Sequence, residues 1–296
     1  MSAYHGDPSM KAALLAGLAA GEDNPLTARQ ADEATRVAWA EELGLSAPVV
    51  LLGAHLAIRF DGADEGKVFA RDLLAAIEPG ADIAAAPHSL ILWAWESAPE
   101  ALRALMHDAD YLGAGAEVAA LHDRAVAGED VARSEWRAAR ARLGRLGDGE
   151  DDQAGAAAAM AASAWDFRAA PGAVVDLFIA WQNLLAARIG REEGWGEAER
   201  AGVHELIREQ KAAAQARLGP TPEEADKDAA EAHERRVTEA MIAALEHLDD
   251  PRLRRHMAVN ARIAAAASAL RKEGAEALLF LLRASAATEE GVKALA

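Results

Sequence analysis

The chain has 296 residues, enough for one large domain or two ordinary ones, and hydrophobic residues make up 52% of it. It carries 31 Lys and Arg against 48 Asp and Glu, a formal charge of −17, which disfavours nucleic acid and anionic lipid as ligands. There is no cysteine, so disulfides, thiolate metal sites and a cysteine nucleophile are excluded. The charge suits a basic protein partner or mimicry of nucleic acid, while a solvated acidic surface is the simpler interpretation.

The composition favours helices. Only 5% of the residues are aromatic, and much of the hydrophobic content is alanine. Alanine is the best helix former, whereas strands favour the β-branched and aromatic residues that are scarce here. No stretch alternates polar and apolar residues for the length of a strand. We therefore predict an all-α fold, a multi-helix bundle of about ten or eleven helices.

Helix boundaries and core stripes recur along the chain. Thr27 and Gln30 in "TARQ" have the spacing of a capping box, which predicts a helix start. The run from 174 to 185 repeats apolar residues at helical spacing, which predicts a core helix. Glycine where such a pattern stops predicts a helix end, and six glycines stand at these places: Gly21, Gly44, Gly80, Gly128, Gly144 and Gly274.

Two linkers interrupt the helical pattern, the acidic "GDGEDDQ" (147–153) and the proline-containing "LGPTPEEAD" (218–226). The first separates a more varied N-terminal segment from an alanine-rich C-terminal one. We therefore predict two helical subdomains, an N-terminal helical domain over 1–147 and a C-terminal Ala-rich helical domain over 153–296.

No targeting or membrane segment is evident. The start "MSAYHGDPSMK" lacks the basic and apolar regions of a signal peptide, and the apolar run at 45–58 is too short to span a bilayer. We predict a cytoplasmic protein with no membrane association.

Three phrases of the N-terminal half are distinctive as a set: the opening "MSAYHGDP", "FARDLLAAIEPGADI" (69–83) and "EVAALHDRAVAGEDVARSEWRAAR" (117–140). In these phrases the chain resembles a group of uncharacterised bacterial and phage-associated proteins that open with MSAYHxDP. The resemblance implies an association with a phage or mobile element but no particular activity. The cysteine-containing segment usual in that group is replaced at 25–40, so a cysteine-dependent role does not carry over.

Two further phrases are similar to parts of the HD-domain phosphohydrolases. They are "APHSLILWAW" (86–95) and "ALMHDADYLGAG" (104–115). This local resemblance implies a divalent metal held by His88, His107 and Asp108, with a later aspartate of uncertain position as fourth ligand. Such a metal would lower the pKa of bound water and supply a hydroxide to attack a nucleotide or phosphate ester. The simpler interpretation is a capped amphipathic helix with a polar edge, because His-Asp pairs recur by chance.

Two features suggest surfaces for association. Trp195 stands between glycines in "GREEGWGEAE" (190–199), where an exposed indole would mark a partner surface. The run "ALLFLL" (277–282) is apolar all round a helix, which indicates either a buried central helix or a contact in a homo-oligomer.

No complete catalytic motif is present. The phosphate-binding loop G-x-x-x-x-G-K-[ST] is missing, and none of the nine histidines follows a glutamate at the spacing of a di-iron bundle. We therefore predict a non-enzymatic acidic helical interaction protein with no cofactor, a protein partner and no direct nucleic-acid binding. Two alternatives stay open: an HD-like metal-dependent phosphohydrolase, and a nucleic-acid-mimicking inhibitor with acidic residues at phosphate-like spacing.

Overall fold

A computed structural model describes residues 2–22, 24–60, 62–97, 103, 112–146, 152–220 and 227–293. Over these ranges the chain contains helices and no strand, which confirms the all-α prediction. A 3-10 turn at Ala3–Gly6 precedes twelve α-helices in the described part, close to the predicted ten or eleven. They are α1 (Pro8–Ala19), α2 (Glu33–Glu42), α3 (Ala47–Arg59), α4 (Ala63–Ala76), α5 (Ala86–Glu96), α6 (Leu112–Val126), α7 (Arg133–Leu146), α8 (Asp152–Ser163), α9 (Ala173–Glu192), α10 (Glu197–Leu218), α11 (Lys227–Glu246) and α12 (Pro251–Lys293).

The chain divides into two compact units. Unit 1 comprises Met1–Ala186 and Ala266–Ala296, and unit 2 comprises Ala187–Ala265. This division does not follow the predicted boundary at 147–153. The physical reason is that α8, which follows the acidic linker, packs against α7, which precedes it.

The core of unit 1 contains most of the buried apolar side chains. The predicted stripe on α9 is confirmed, because all six of its residues are buried in this core: Val174, Leu177, Phe178, Trp181, Leu184 and Leu185. Among the described residues α9 is also the one helix long and apolar enough to cross a membrane. In this structure its largest side chains, Phe178 and Trp181, pack inside the protein.

Close helix contacts in unit 1 depend on glycines within helices, of which Gly66 and Gly274 are examples. A Cβ on Gly66 of α4 would overlap the carbonyl oxygen of Ala57 on α3. A Cβ on Gly274 of α12 would overlap the ring of Phe178 on α9. At both positions the missing side chain lets neighbouring elements approach more closely than alanine would allow.

The start of α2 differs from the prediction. The helix begins at Glu33, after Asp32, whose carboxylate accepts a hydrogen bond from the Thr35 backbone N–H at 2.8 Å. The predicted helix start at Thr27 is wrong. The Thr27 hydroxyl instead donates to the carbonyl oxygen of Asn24 at 3.2 Å, which stabilises a turn before the helix.

Unit 2 contains a small apolar cluster of its own. Helices α10 and α11 pack against each other, and Trp195, Val203 and Val259 are buried together. Val237 of α11 is also fully buried in this unit.

Candidate functional site

The predicted metal ligands are only partly described. His88 lies on α5 and is 2% exposed, while His107 and Asp108 lie outside the described residues. Over the described ranges, no group of three His, Asp or Glu side chains is arranged to hold a metal ion. The divalent metal therefore stays a prediction.

His88 instead pairs with His122 of α6, which the sequence did not single out. The two Nδ1 atoms are 2.9 Å apart, and His122 Nε2 lies 2.6 Å from the carbonyl oxygen of Ser163, the last residue of α8. A carbonyl oxygen can only accept, so His122 carries its proton on Nε2. Its Nδ1 is then the acceptor for the Nδ1–H of His88, and one hydrogen-bonded chain joins α5, α6 and α8.

Aromatic rings surround the histidine pair. The ring centroids of His88 and Phe167 are 5.0 Å apart, and those of His122 and Trp136 are 4.9 Å apart. Burial lowers the pKa of His122, and the neighbouring His88 lowers it further. Burial also lowers the pKa of His88, partly opposed by the negative charge of Asp166. Both imidazoles are therefore neutral at pH 7.

The His88–His122 pair has a structural role. His122 has no exposed surface and His88 almost none, so neither ring can present a base to a substrate in solution. A hydrogen-bonded polar pair inside an apolar core fixes how its helices pack, because misaligned helices would leave the bonded atoms of His88 and His122 without partners.

Lowering the pH from 7 to 5.5 is expected to reduce the free energy of unfolding. The folded-state pKa values of His88 and His122 lie below the usual 6.5, so the unfolded chain binds protons that the folded chain does not. The contribution of these neutral histidines to the free energy of unfolding is fully present above about pH 6.5. It is lost as the pH falls towards their folded-state pKa values. Each histidine contributes a slope of roughly 1 kcal/mol per pH unit in the lower part of this window.

Urea denaturation at several pH values tests this expectation, with His88→Leu as the comparison. The variant should show a shallower slope, because one proton-binding group is removed. Equal slopes for the two proteins would contradict it.

Trp195 lies inside unit 2, in the connection between α9 and α10. Its indole is 5% exposed and packs with Val203 and Val259, and the Arg255 guanidinium carbon lies 5.8 Å from its ring centroid. The expectation of an exposed indole is therefore not met, because these side chains cover the ring. A partner surface at Trp195 stays a prediction.

An open groove lies between α5 and α12 on the surface of unit 1. Its volume is about 740 Å³. We call it the acidic groove and define it by Leu92, Trp93, Glu96, Glu273, Glu276 and Phe280.

The residues of "ALLFLL" divide between the core of unit 1 and the groove. Leu278 and Leu282 are fully buried, whereas Phe280 is 69% exposed. The helix therefore buries one side in the core of unit 1 and leaves an aromatic ring on the other, so it is not buried on all sides. A homo-oligomer contact at this helix stays a prediction. Phe280 and the groove residues Leu92 and Trp93 together form an apolar surface of the kind that partner proteins cover.

Negative charge surrounds this aromatic side chain. Glu96 and Glu276 are exposed, and Glu273 is half-buried. Burial raises the pKa of Glu273, and the nearby charge of Glu276 raises it further. Within the described ranges none of the three glutamates forms an ion pair. A cation placed in the groove would relieve this repulsion.

Comparisons of this chain with protein-family models, curated proteins and solved structures found no match.

The sequence contained partial signals for the residues that it did not identify. His122 begins a second His-Asp pair, His122-Asp123, in a helix with apolar spacing, which is a signal of the same kind as His107-Asp108. Phe280 was part of an apolar run, but no pattern within "ALLFLL" distinguishes its exposed side.

Proposed function

We propose that this chain is a non-enzymatic, cytoplasmic interaction protein whose acidic groove binds a basic amphipathic helix of a protein partner. The observation that carries the proposal is Phe280, an aromatic side chain 69% exposed beside three glutamates that have no ion-pair partner in the described structure. Aromatic anchors commonly supply much of the binding energy at protein interfaces. An aromatic ring that is already in water loses the most unfavourable hydration when a partner covers it.

The shape and charge of the groove support a helical ligand. It lies between two helices, and Leu92, Trp93 and Phe280 offer apolar contacts to successive turns of a helix placed along it. Glu273 and Glu276 would pair with Lys or Arg at the flanks of that helix, which favours association and fixes its orientation.

A second copy of the same chain suits the groove less well. Each copy carries a charge of −17, so self-association would bring like charges together at this surface. A basic partner is attracted by the same charge. For this reason we assign the groove to a different protein and treat a homo-oligomer as the alternative.

Phe280→Ala is expected to weaken binding of a basic amphipathic helix by about tenfold or more. The probe is a fluorescently labelled synthetic peptide with a leucine stripe and lysine flanks, and the measurement is fluorescence anisotropy at low and physiological salt. Met257→Ala is the matched control, because Met257 is a 64% exposed apolar residue of the same helix outside the groove. This control should bind within about twofold of the unsubstituted protein.

Glu276→Gln tests the contribution of charge. It should weaken binding of the basic peptide and make the affinity less dependent on salt. A peptide with the same leucine stripe and glutamate flanks should bind poorly. The proposal is contradicted if the acidic peptide binds as well as the basic one, or if Phe280→Ala behaves like Met257→Ala. If the unsubstituted protein self-associates and Phe280→Ala does not, the homo-oligomer alternative is supported instead.

The phosphohydrolase alternative has its own test. Hydrolysis of nucleotides with added Mn²⁺, abolished by His88→Leu in a protein that remains folded, would overturn the non-enzymatic proposal. No hydrolysis above the rate of buffer with Mn²⁺ is the expected result.

A further inference from the structure

A second cavity of unit 1 lies among α2, α3 and α9 and shares no lining residue with the acidic groove. Its volume is about 300 Å³. We call it the arginine cavity and define its polar lining by Arg29, Glu33, Arg36, His55, Arg59 and Asp176. Three arginines around one cavity depart from the overall composition, in which acidic residues outnumber basic ones by 48 to 31.

Two of these arginines are available to a ligand. Arg29 and Arg59 are exposed, and neither forms an ion pair with another residue in the part of the chain that the structure describes. The third, Arg36, is held in place by donating to the carbonyl oxygens of Pro25 at 3.1 Å and Ala28 at 2.9 Å. The cavity therefore has one fixed guanidinium and two that are free to move onto an anion.

His55 adds a polar atom with no hydrogen-bond partner. Its Nε2 is buried and makes no hydrogen bond within the described structure, and its ring lies edge-on to Phe178 with centroids 6.4 Å apart. Burial lowers the pKa of His55 to about 4, and the charges of Arg59 and Arg271 act in the same direction. The imidazole is therefore neutral at pH 7.

We propose that the arginine cavity binds a small organic acid whose acid group is a carboxylate or a phosphate. Guanidinium groups match the geometry of both acid groups and can bind them through two parallel hydrogen bonds. The neutral His55 ring lines the same cavity and would contact the ligand without adding a charge.

The remaining lining limits the size and charge of that ligand. Leu51, Ile58 and Val175 provide an apolar wall for a short carbon skeleton. A volume of about 300 Å³ is at the lower end of the range for small-molecule pockets. Glu33 and Asp176 are exposed at the cavity and would repel a polyanion, which separates this site from one for nucleic acid.

Isothermal titration calorimetry of the full chain tests the proposal. The probes are L-lactate, glycerol 3-phosphate and inorganic phosphate, with sodium chloride at matched ionic strength as the reference. We expect saturable binding of at least one of the three acids with a dissociation constant below about 1 mM. Preference for lactate identifies a carboxylate ligand, and preference for the phosphates identifies a phosphate ligand.

Arg59→Gln is expected to weaken binding of whichever acid the unsubstituted protein binds, by about tenfold or more. Arg145→Gln is the matched control, because Arg145 is an exposed arginine of α7 outside the cavity, and it should change the affinity less than about twofold. Circular dichroism melting of both variants establishes that they are folded.

A second measurement locates the site. Addition of the acid should shift the imidazole resonances of His55 in NMR spectra, assigned by their loss in His55→Gln. The proposal is overturned if none of the three acids saturates beyond chloride, if Arg59→Gln and Arg145→Gln bind alike, or if saturable binding leaves the His55 resonances unchanged. Because the acidic groove contributes no residue here, these outcomes are independent of those for the helical peptide.

Discussion

His122→Ala is expected to lower the free energy of unfolding by about 3–5 kcal/mol at pH 7. The substitution removes a fully buried ring from contact with Trp136 and leaves a cavity between α5, α6 and α8. It also leaves the Nδ1–H of His88 and the carbonyl oxygen of Ser163 without their present partner. Unsatisfied polar groups in an apolar core add to the cost of the cavity itself. Urea denaturation followed by circular dichroism measures the loss.

A double-mutant cycle separates the hydrogen bond from the packing. His88→Leu, His122→Leu and the double variant are compared, and the lost contact between His122 and Ser163 is common to both variants that change His122. The double variant should lose less stability than the sum of the single variants, because neither histidine is then left facing a partner that cannot bond to it. Strict additivity would mean that the Nδ1 contact contributes no stability.

Gly66→Ala is expected to lower the free energy of unfolding by about 2 kcal/mol or more. The new methyl group would overlap a backbone atom of α3, the Ala57 carbonyl oxygen, which cannot rotate away as a side chain could. The helices α3 and α4 must therefore separate and loosen the core between them. The better helix propensity of alanine offsets about 1 kcal/mol of that cost.

Gly144→Ala is the matched control for this prediction. Gly144 lies in α7, and a Cβ added there meets no atom within 4 Å. Its replacement should be neutral or stabilise the protein by up to about 1 kcal/mol. If both glycine variants gained stability, the close approach of α3 and α4 would not be the constraint that the structure indicates.

Local patterns predicted which segments form helices better than they predicted where the helices end. The stripe on α9 follows from spacing alone, because an amphipathic helix must bury its apolar side. Four of the six glycines predicted at helix ends have the positive φ that favours glycine: Gly21, Gly44, Gly80 and Gly128. Gly144 and Gly274 lie within helices, so a helix end at Gly274 is wrong. Gly274 is explained by a contact with Phe178, which is almost a hundred residues away in the sequence.

The sites were harder to predict because they depend on distant residues. His88 was singled out as a partner of His107, but in the described structure it meets His122, 34 residues further along the chain. His55 has no motif around it and gains its significance from arginines on other elements. Likewise, composition placed a boundary at 147–153, whereas the packing of α7 on α8 keeps both sides of that linker in unit 1.

The discontinuous sequence of unit 1 has a consequence for synthesis on the ribosome. Its core needs Leu270, Leu278 and Leu282, which lie on the part of α12 that follows unit 2 in the chain, whereas the sequence of unit 2 is complete by residue 265. Domains generally fold in the order in which they emerge. Here the first unit to begin emerging is completed only after unit 2, so its apolar surfaces stay uncovered until α12 has emerged. The nascent chain is therefore more prone to aggregate than the finished protein.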